Sequence, residues 1–368
     1  MDIEKFSEDA MKLKIITIIL VLSLAIGTLV GCAKKDDNAD VHVFYYTYSD
    51  TYISTVRASL DKALDGAGIK YQDHDGNNNQ TTQTEQVQTA ITKGAKLLVV
   101  NIVTTGSDDA ASGIISLAKD AGIPVIFFNR EVSDSIVNSY DKCVFIGTDA
   151  TEAGKLQGDM IGDYVVKNYD KIDINGDGEI SYVLFMGEKG NNEAIYRTKY
   201  SVENANAKLL AAGKKVLKFY DPSNADKYLL DRDGKWSAQA ANEYMTTILS
   251  SHSTANKNMV ELVICNNDGM AEGAISALAS AGYNTGVDGV TTIPVFGVDA
   301  TSAAQELIKN GKMAGTIKQD AEGMAGAILK CTENAMNDKA LLDGMDDYNI
   351  DSDVAKLRIA YAVYLGDE

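Results

Sequence analysis

The sequence predicts an α/β fold of two doubly wound lobes, each a parallel sheet covered on both faces by helices. Three observations lead there. From Val41 onward, short apolar runs alternate with amphipathic segments, the pattern of strands joined by crossover helices. The runs are too many for one sheet of ordinary width. At 368 residues, 45 % of them hydrophobic, the chain can also fill two cores.

The elements follow in order. Residues 42–48 read as a strand, and the next segment places Ile53, Val56, Leu60 and Leu64 on one helical face. A strand over 96–103, a helix over 111–121 and strands over 124–129 and 142–148 complete the first series. The second opens with a helix over 152–167 and a strand over 181–186, then a helix over 197–212 and a strand over 216–220. A helix over 239–250, a strand over 260–266 and a helix over 270–281 come next. A strand over 293–298, a helix over 302–310 and a strand over 315–318 close it.

Ligands of parallel sheets bind at the carboxyl ends of the strands. The polar residues that follow the apolar runs are Asp50, Asn129, Asn267, Asp268, Asp299 and Gln319. Each alone reads as a helix cap or turn former. Together, with no Gly-rich phosphate loop among them, they suit a polar ligand recognised by hydrogen bonds. Tyr52 and the single tryptophan, Trp236, stand near such ends as well. Aromatic rings with planar Asp, Asn, Gln and Arg groups suit a pyranose, whose C–H faces stack and whose hydroxyls both donate and accept.

The stretch from Asp173 to Ser181 looks like a calcium loop with one part missing. Asp173, Asn175 and Asp177 occupy the first, third and fifth positions and Gly178 the sixth, as in the start of an EF-hand loop. The twelfth position, where an EF-hand closes its cage with Glu, is Leu184, and the segment after the loop reads as a strand rather than a helix. Any calcium here takes its last carboxylate from elsewhere; the plain alternative is a surface turn.

Lys12 and Lys14 precede an apolar run from residue 15 to 30 that ends in Leu29-Val30-Gly31-Cys32, which reads as an export signal over residues 1–32. The run is short of a span of ~20 residues. Leu-Val-Gly-Cys resembles a bacterial lipobox, which makes Cys32 a lipidated residue on the outer face of the cell membrane and 33–40 a polar tether. Cys143, Cys265 and Cys331 are then an odd number in apolar contexts, so buried free thiols are expected. The formal net charge of -18 repels phosphate backbones and argues against nucleic-acid partners.

Several motifs extend the reading: Tyr-Ser-Asp-Thr-Tyr at 48–52, Phe-Phe-Asn-Arg-Glu at 127–131, Gly-Thr-Asp at 147–149, Cys-Asn-Asn-Asp-Gly-Met at 265–270 and Pro-Val-Phe-Gly-Val-Asp-Ala at 294–300. With the calcium loop, they make the chain resemble the bacterial glucose/galactose-binding proteins of sugar ABC transporters, within the ribose-binding-like periplasmic binding proteins. The resemblance runs from Val41 to the C-terminus. It implies a type I periplasmic binding protein fold and a protein that captures glucose or galactose by hinge closure, delivers it to an ABC permease, and is not an enzyme. It implies lobes of 41–148 with 320–356 and of 149–319 with 357–368, crossed near 146–149, 319–321 and 357–359.

Residue by residue, the resemblance implies that Asp50 accepts from sugar hydroxyls while Tyr52 and Trp236 cover the two ring faces. Asn129, Arg197, Asn267 and Asp299 complete the shell. Asn191 stands where the family has His, Glu193 where it has Asp and Gln319 where it has Asn, so the preferred hydroxyl pattern is open. For the ion, the resemblance supplies Glu261 as the closing carboxylate and the backbone carbonyl of Glu179 as a further ligand. Ser181 replaces the family's usual Gln. A sensor subunit that shows its bound sugar to a chemoreceptor or a membrane histidine kinase would use the same surfaces, and the sequence leaves that alternative open. A glycosidase would need two carboxylates at a fixed separation, with Asp50, Glu193 and Asp299 as the candidates.

Overall fold

The computed structural model describes residues 39–366. The export signal, Cys32 and most of the tether lie outside them. Two seven-stranded sheets form the frame. The first contains β1 (Val41–Tyr45), β2 (Tyr71–Asp75), β3 (Leu97–Val100), β4 (Val125–Phe128) and β5 (Cys143–Gly147), joined late in the chain by β12 (Asn349–Ile350) and β13 (Lys356–Arg358). The second contains β6 (Ser181–Met186), β7 (Lys218–Phe219), β8 (Leu229–Leu230), β9 (Leu262–Cys265), β10 (Val295–Asp299), β11 (Gly315–Gln319) and β14 (Tyr361–Tyr364). Only β12 against β13 and β14 against β11 run antiparallel.

Strand side chains alternate faces, so each sheet carries two cores. In β3, Leu97 and Val99 join one apolar cluster and Leu98 and Val100 the other. In β6, Tyr182, Leu184 and Met186 face one way and Val183 and Phe185 the other. Helices cover both faces, as the alternation requires. For the site, the important ones are α1 (Thr51–Gly66), α5 (Ala150–Ile172), α6 (Asn192–Ala211), α8 (Asp268–Ser280) and α10 (Ala321–Met336).

Several elements of the first lobe escape the sequence reading: the short helix Asp134–Asn138, α10, β12 and β13, and two more that lack an apolar pattern. β2 is Tyr-Gln-Asp-His-Asp, half-buried along its length at the sheet edge, and lacks an apolar run. The helix Gln80–Thr92 buries only Gln83, Val87 and Ala90. Cys143, Cys265 and Cys331 are free and buried, as expected. Among the described residues no helix is long and apolar enough to cross a membrane.

The chain crosses between the sheets three times: after β5, after β11 and after β13. The expected start of the last return, residue 357, falls inside β13. That strand pairs with β5, Leu357 against Ile146 and Arg358 against Gly147, so the return begins at Ile359.

Candidate functional site

The carboxyl ends of both sheets face one cavity with about 360 Å³ of atom-free space, part of it open to solvent. The ten residues assigned to the sugar above line it: Asp50, Tyr52, Asn129, Asn191, Glu193, Arg197, Trp236, Asn267, Asp299 and Gln319; Asp268, the remaining strand-end candidate, instead accepts from Thr301 N at 2.8 Å and Thr316 Oγ1 at 2.6 Å. Tyr46, Ile53 and Arg130 complete the wall and were missed. Arg130 directly follows Asn129 in its motif, a signal that could have found it. Tyr46 continues the apolar run of β1 and reads as core.

Several of these residues are also helix caps. Asp50 Oδ1 accepts from Ile53 N at 2.7 Å and so caps α1, while Tyr46 donates its hydroxyl to Oδ2 at 2.7 Å. Asn191 caps α6 by accepting from Ala194 N at 3.2 Å. Asn267 caps α8 by accepting from Met270 N at 2.9 Å, and its amide donates to the Trp236 carbonyl at 3.2 Å. Capping fixes each side chain and aims the positive ends of three helices at the cavity. The cap reading and the site reading describe the same residues.

Backbone strain concentrates here. Asn129, Trp236 and Asp299 hold φ of 60, 55 and 129°, conformations that cost on the order of 1–3 kcal/mol each outside glycine. Neighbours hold them in place. Asn101 donates to Asn129 Oδ1 at 3.1 Å, and the Trp236 ring lies so close to Gly187 that a Cβ there would stand 2.1 Å from it. Only glycine admits the indole at that depth.

Arg197 is the electrostatic centre. Buried on α6, it donates to the Asn266 carbonyl at 2.9 Å, to Gln319 Oε1 at 3.1 Å and to the Tyr361 hydroxyl at 2.9 Å, with Asp299 Oδ1 at 4.0 Å. Burial pushes the Glu193 carboxyl up to about 7, against the pull of Arg197. Burial also raises Asp299 well above the usual carboxylate range, and Arg197 again works the other way. Across the cleft, Arg130 of the first lobe meets Glu188 of the second at 2.7 Å, and the Trp236 indole donates to the same carboxylate at 3.3 Å.

Three buried polar atoms of the wall have no partner within the protein: the Tyr52 hydroxyl, Glu193 Oε1 and Arg197 Nε. Buried polar groups are normally satisfied, and leaving one unpaired costs about 1–3 kcal/mol. A donor-acceptor hydroxyl, a carboxyl oxygen and an N–H left unpaired on three residues that line one cavity suit a ligand that both donates and accepts.

The loop of Asp173 to Ser181 is arranged differently. Asp173 takes the backbone N–H groups of Gly176, Asp177 and Gly178 at 2.8, 3.1 and 2.9 Å. Asn175 bonds both backbone groups of Met259, donating to its O at 2.8 Å and accepting from its N at 2.9 Å. Glu261, expected to close the cage, does reach the loop: it accepts from Asn175 N and Ser181 N, each at 2.9 Å, and from Ser181 Oγ at 3.0 Å. The Glu179 carboxylate pairs outward with Lys215 and Lys218. The donor set is hard oxygen, the right chemistry for calcium. Yet no group of three or more His, Cys, Asp or Glu among the described residues is disposed to hold a metal ion. The loop in this form is held by hydrogen bonds.

A family model described as a periplasmic binding protein domain matches residues 41–340. The chain belongs to the periplasmic binding protein family. This is a family of substrate-binding proteins rather than enzymes. Within it, the chain is 34% identical over 325 residues to the D-galactose/methyl-galactoside binding periplasmic protein MglB of Haemophilus influenzae, covering 88% of this chain and 89% of that protein. It is 29% identical over 259 residues to the D-xylose-binding periplasmic protein of Escherichia coli, covering 70% and 65%. An ABC transporter solute binding protein from Bacillus halodurans, solved with bound myo-inositol, superposes with a TM-score of 0.64 at 25% identity, covering 89% of this chain and 94% of that one. One from Clostridium phytofermentans, solved with bound β-D-glucose, shares the fold with a TM-score of 0.67 at 22% identity, covering 88% and 93%.

Proposed function

We propose that this periplasmic binding protein captures a monosaccharide, glucose or galactose first among the candidates, and delivers it to an ABC permease. The observation that carries the reading is the set of three unpartnered buried atoms, on Tyr52, Glu193 and Arg197, in a cavity walled by both lobes and by Trp236. Sugar hydroxyls satisfy such atoms because each hydroxyl is donor and acceptor at once. The indole supplies an apolar face for the ring C–H groups. Because the wall comes from both lobes, the ligand favours the closed form over the open one by the contacts that only closure completes. The relatives' names, which specify galactose and xylose, support a sugar rather than another polar ligand. Titration calorimetry with glucose, galactose, xylose and ribose tests the reading, and heat from none of them contradicts it.

Two further parts belong to the proposal. Calcium, held by the side chains of Asp173, Asn175, Asp177, Ser181 and Glu261 with the Glu179 carbonyl, is a structural ion of the second lobe and touches no sugar. Donor chemistry supports it, and melting with and without chelator tests it. Lipidation at Cys32 tethers the protein to the outer face of the membrane, supported by the Leu-Val-Gly-Cys sequence. Cys32→Ala should move the protein from the membrane fraction to the soluble one.

A further inference from the structure

The three crossings between the lobes meet at one side chain of the cavity. Thr148 follows β5 at the first crossing, Gln319 ends β11 at the second, and Tyr361 opens β14 at the third. The Tyr361 hydroxyl lies 2.7 Å from Thr148 Oγ1 and accepts from Arg197 Nη2 at 2.9 Å. Gln319 stands directly opposite Tyr361 in the sheet, accepts from the same Nη2 at 3.1 Å and donates to Thr148 Oγ1 at 3.4 Å. All four side chains are buried. The guanidinium is thus held by Gln319 and Tyr361, both of which bond Thr148, so the three crossings join around it, while its buried Nε has no partner within the protein.

We propose that Tyr361 is a positioning residue that couples occupation of Arg197 to closure of the hinge. The inference rests on the sugar reading above but concerns a residue outside the cavity wall. The Tyr361 hydroxyl has two partners, one from each side of the first crossing: Arg197 of the second lobe and Thr148 of the linker that leads out of the first. Rotation of the lobes about the crossings changes the distance between those partners. The bridge therefore belongs to one hinge angle, and a ligand that fixes Arg197 favours that angle. Reciprocally, a hinge held at that angle presents Nε to the ligand already oriented, which lowers the cost of binding. A bridge of this kind acts on affinity in common for every sugar that uses Arg197, and leaves the choice between epimers to the wall.

The test uses the full chain, with the fluorescence of Trp236, its single tryptophan, reporting titration by D-galactose and D-glucose. Small-angle scattering with and without sugar reports the lobe angle. Tyr361→Phe keeps the ring in the core and removes the bridge; Thr148→Val removes the same bridge from its other end. Each variant should bind both sugars about three- to tenfold more weakly, the range of one to two net hydrogen bonds, chiefly through faster dissociation. The ratio of the two affinities should stay that of the wild type, the double variant should be no weaker than the weaker single one, and both variants should scatter as more open without sugar. Wild-type affinity with wild-type scattering in Tyr361→Phe overturns the proposal, and so does a changed galactose-to-glucose ratio, which would make the residue a sugar contact. If the wild type binds neither sugar, the sugar reading fails by itself, and the scattering of the sugar-free variants still decides whether the bridge sets the hinge.

Discussion

The cleft and the acidic loop are built from the same kinds of residues, yet their hydrogen bonding differs. In the cleft, caps and strained backbone hold the side chains, and three buried polar atoms are left without a protein partner. In the loop, Asp173, Asn175 and Glu261 spend their oxygens on backbone N–H groups of the loop and of Met259. A ligand motif thus gives the donor types, while unpartnered buried atoms on the residues of one wall are a second property that a motif does not show. The cleft has both properties; the loop, in this form, has the first alone.

Removing the centre of the cleft should have the largest effect. Arg197→Met deletes a buried, charge-assisted donor worth about 1.5–3 kcal/mol per bond, so affinity for the bound sugar should fall by about ten- to a hundredfold. It also leaves Glu193 and Asp299 without their nearest positive charge, and both should then protonate more readily. Calorimetry of this variant breaks the contrast if binding survives.

A pH effect of similar size belongs to the cleft. Burial raises the Glu193 carboxyl from an ordinary 4.5 to about 7, so between those values the folded protein binds more protons than the unfolded chain. The sugar-free protein should therefore lose stability as pH rises across that window, by up to ~3 kcal/mol from this group. Glu193→Gln should flatten the slope. Melting curves of both proteins from pH 4 to 8 check it, and parallel slopes would remove Glu193 as the cause.

The loop offers the smaller test, and the one that sharpens the comparison. If calcium exchanges with the hydrogen bonds seen there, a hundredfold excess over its dissociation constant should add ~2.7 kcal/mol of stability, and chelation should lower Tm accordingly. Glu261→Gln should abolish the response to chelator. Identical melting with and without chelator would mean that the loop is finished by hydrogen bonds alone.

The sequence made parts of this contrast readable for physical reasons. Buried strands such as Val125–Phe128 announce themselves as unbroken apolar runs, and polar residues at their ends drew attention to the cleft. Asp50 and Asn267 were legible because one side chain both caps a helix and faces the cavity, whereas Asn191, a cap as well, came only from the resemblance. What stayed hidden was decided by partners far away in the chain. Strand β2 is polar because it lies half-buried at the sheet edge, and the helix after it buries only three residues. Glu188 meets Arg130, 58 residues earlier, and Tyr361 meets Arg197, 164 residues earlier. The donor pattern of the loop was plain, whereas the engagement of Asn175 with Met259 depends on a contact 84 residues away.

The most direct test of the central claim is a calorimetric titration of the wild type and Trp236→Ala with D-galactose and D-glucose at neutral pH. The account predicts saturable binding of at least one of the two sugars at one site per chain. It also predicts a loss of about 2 kcal/mol or more in the variant, which lacks the aromatic face that covers the ring and keeps water from its hydrogen bonds. No heat from either sugar, or a variant that binds as tightly as the wild type, would contradict it.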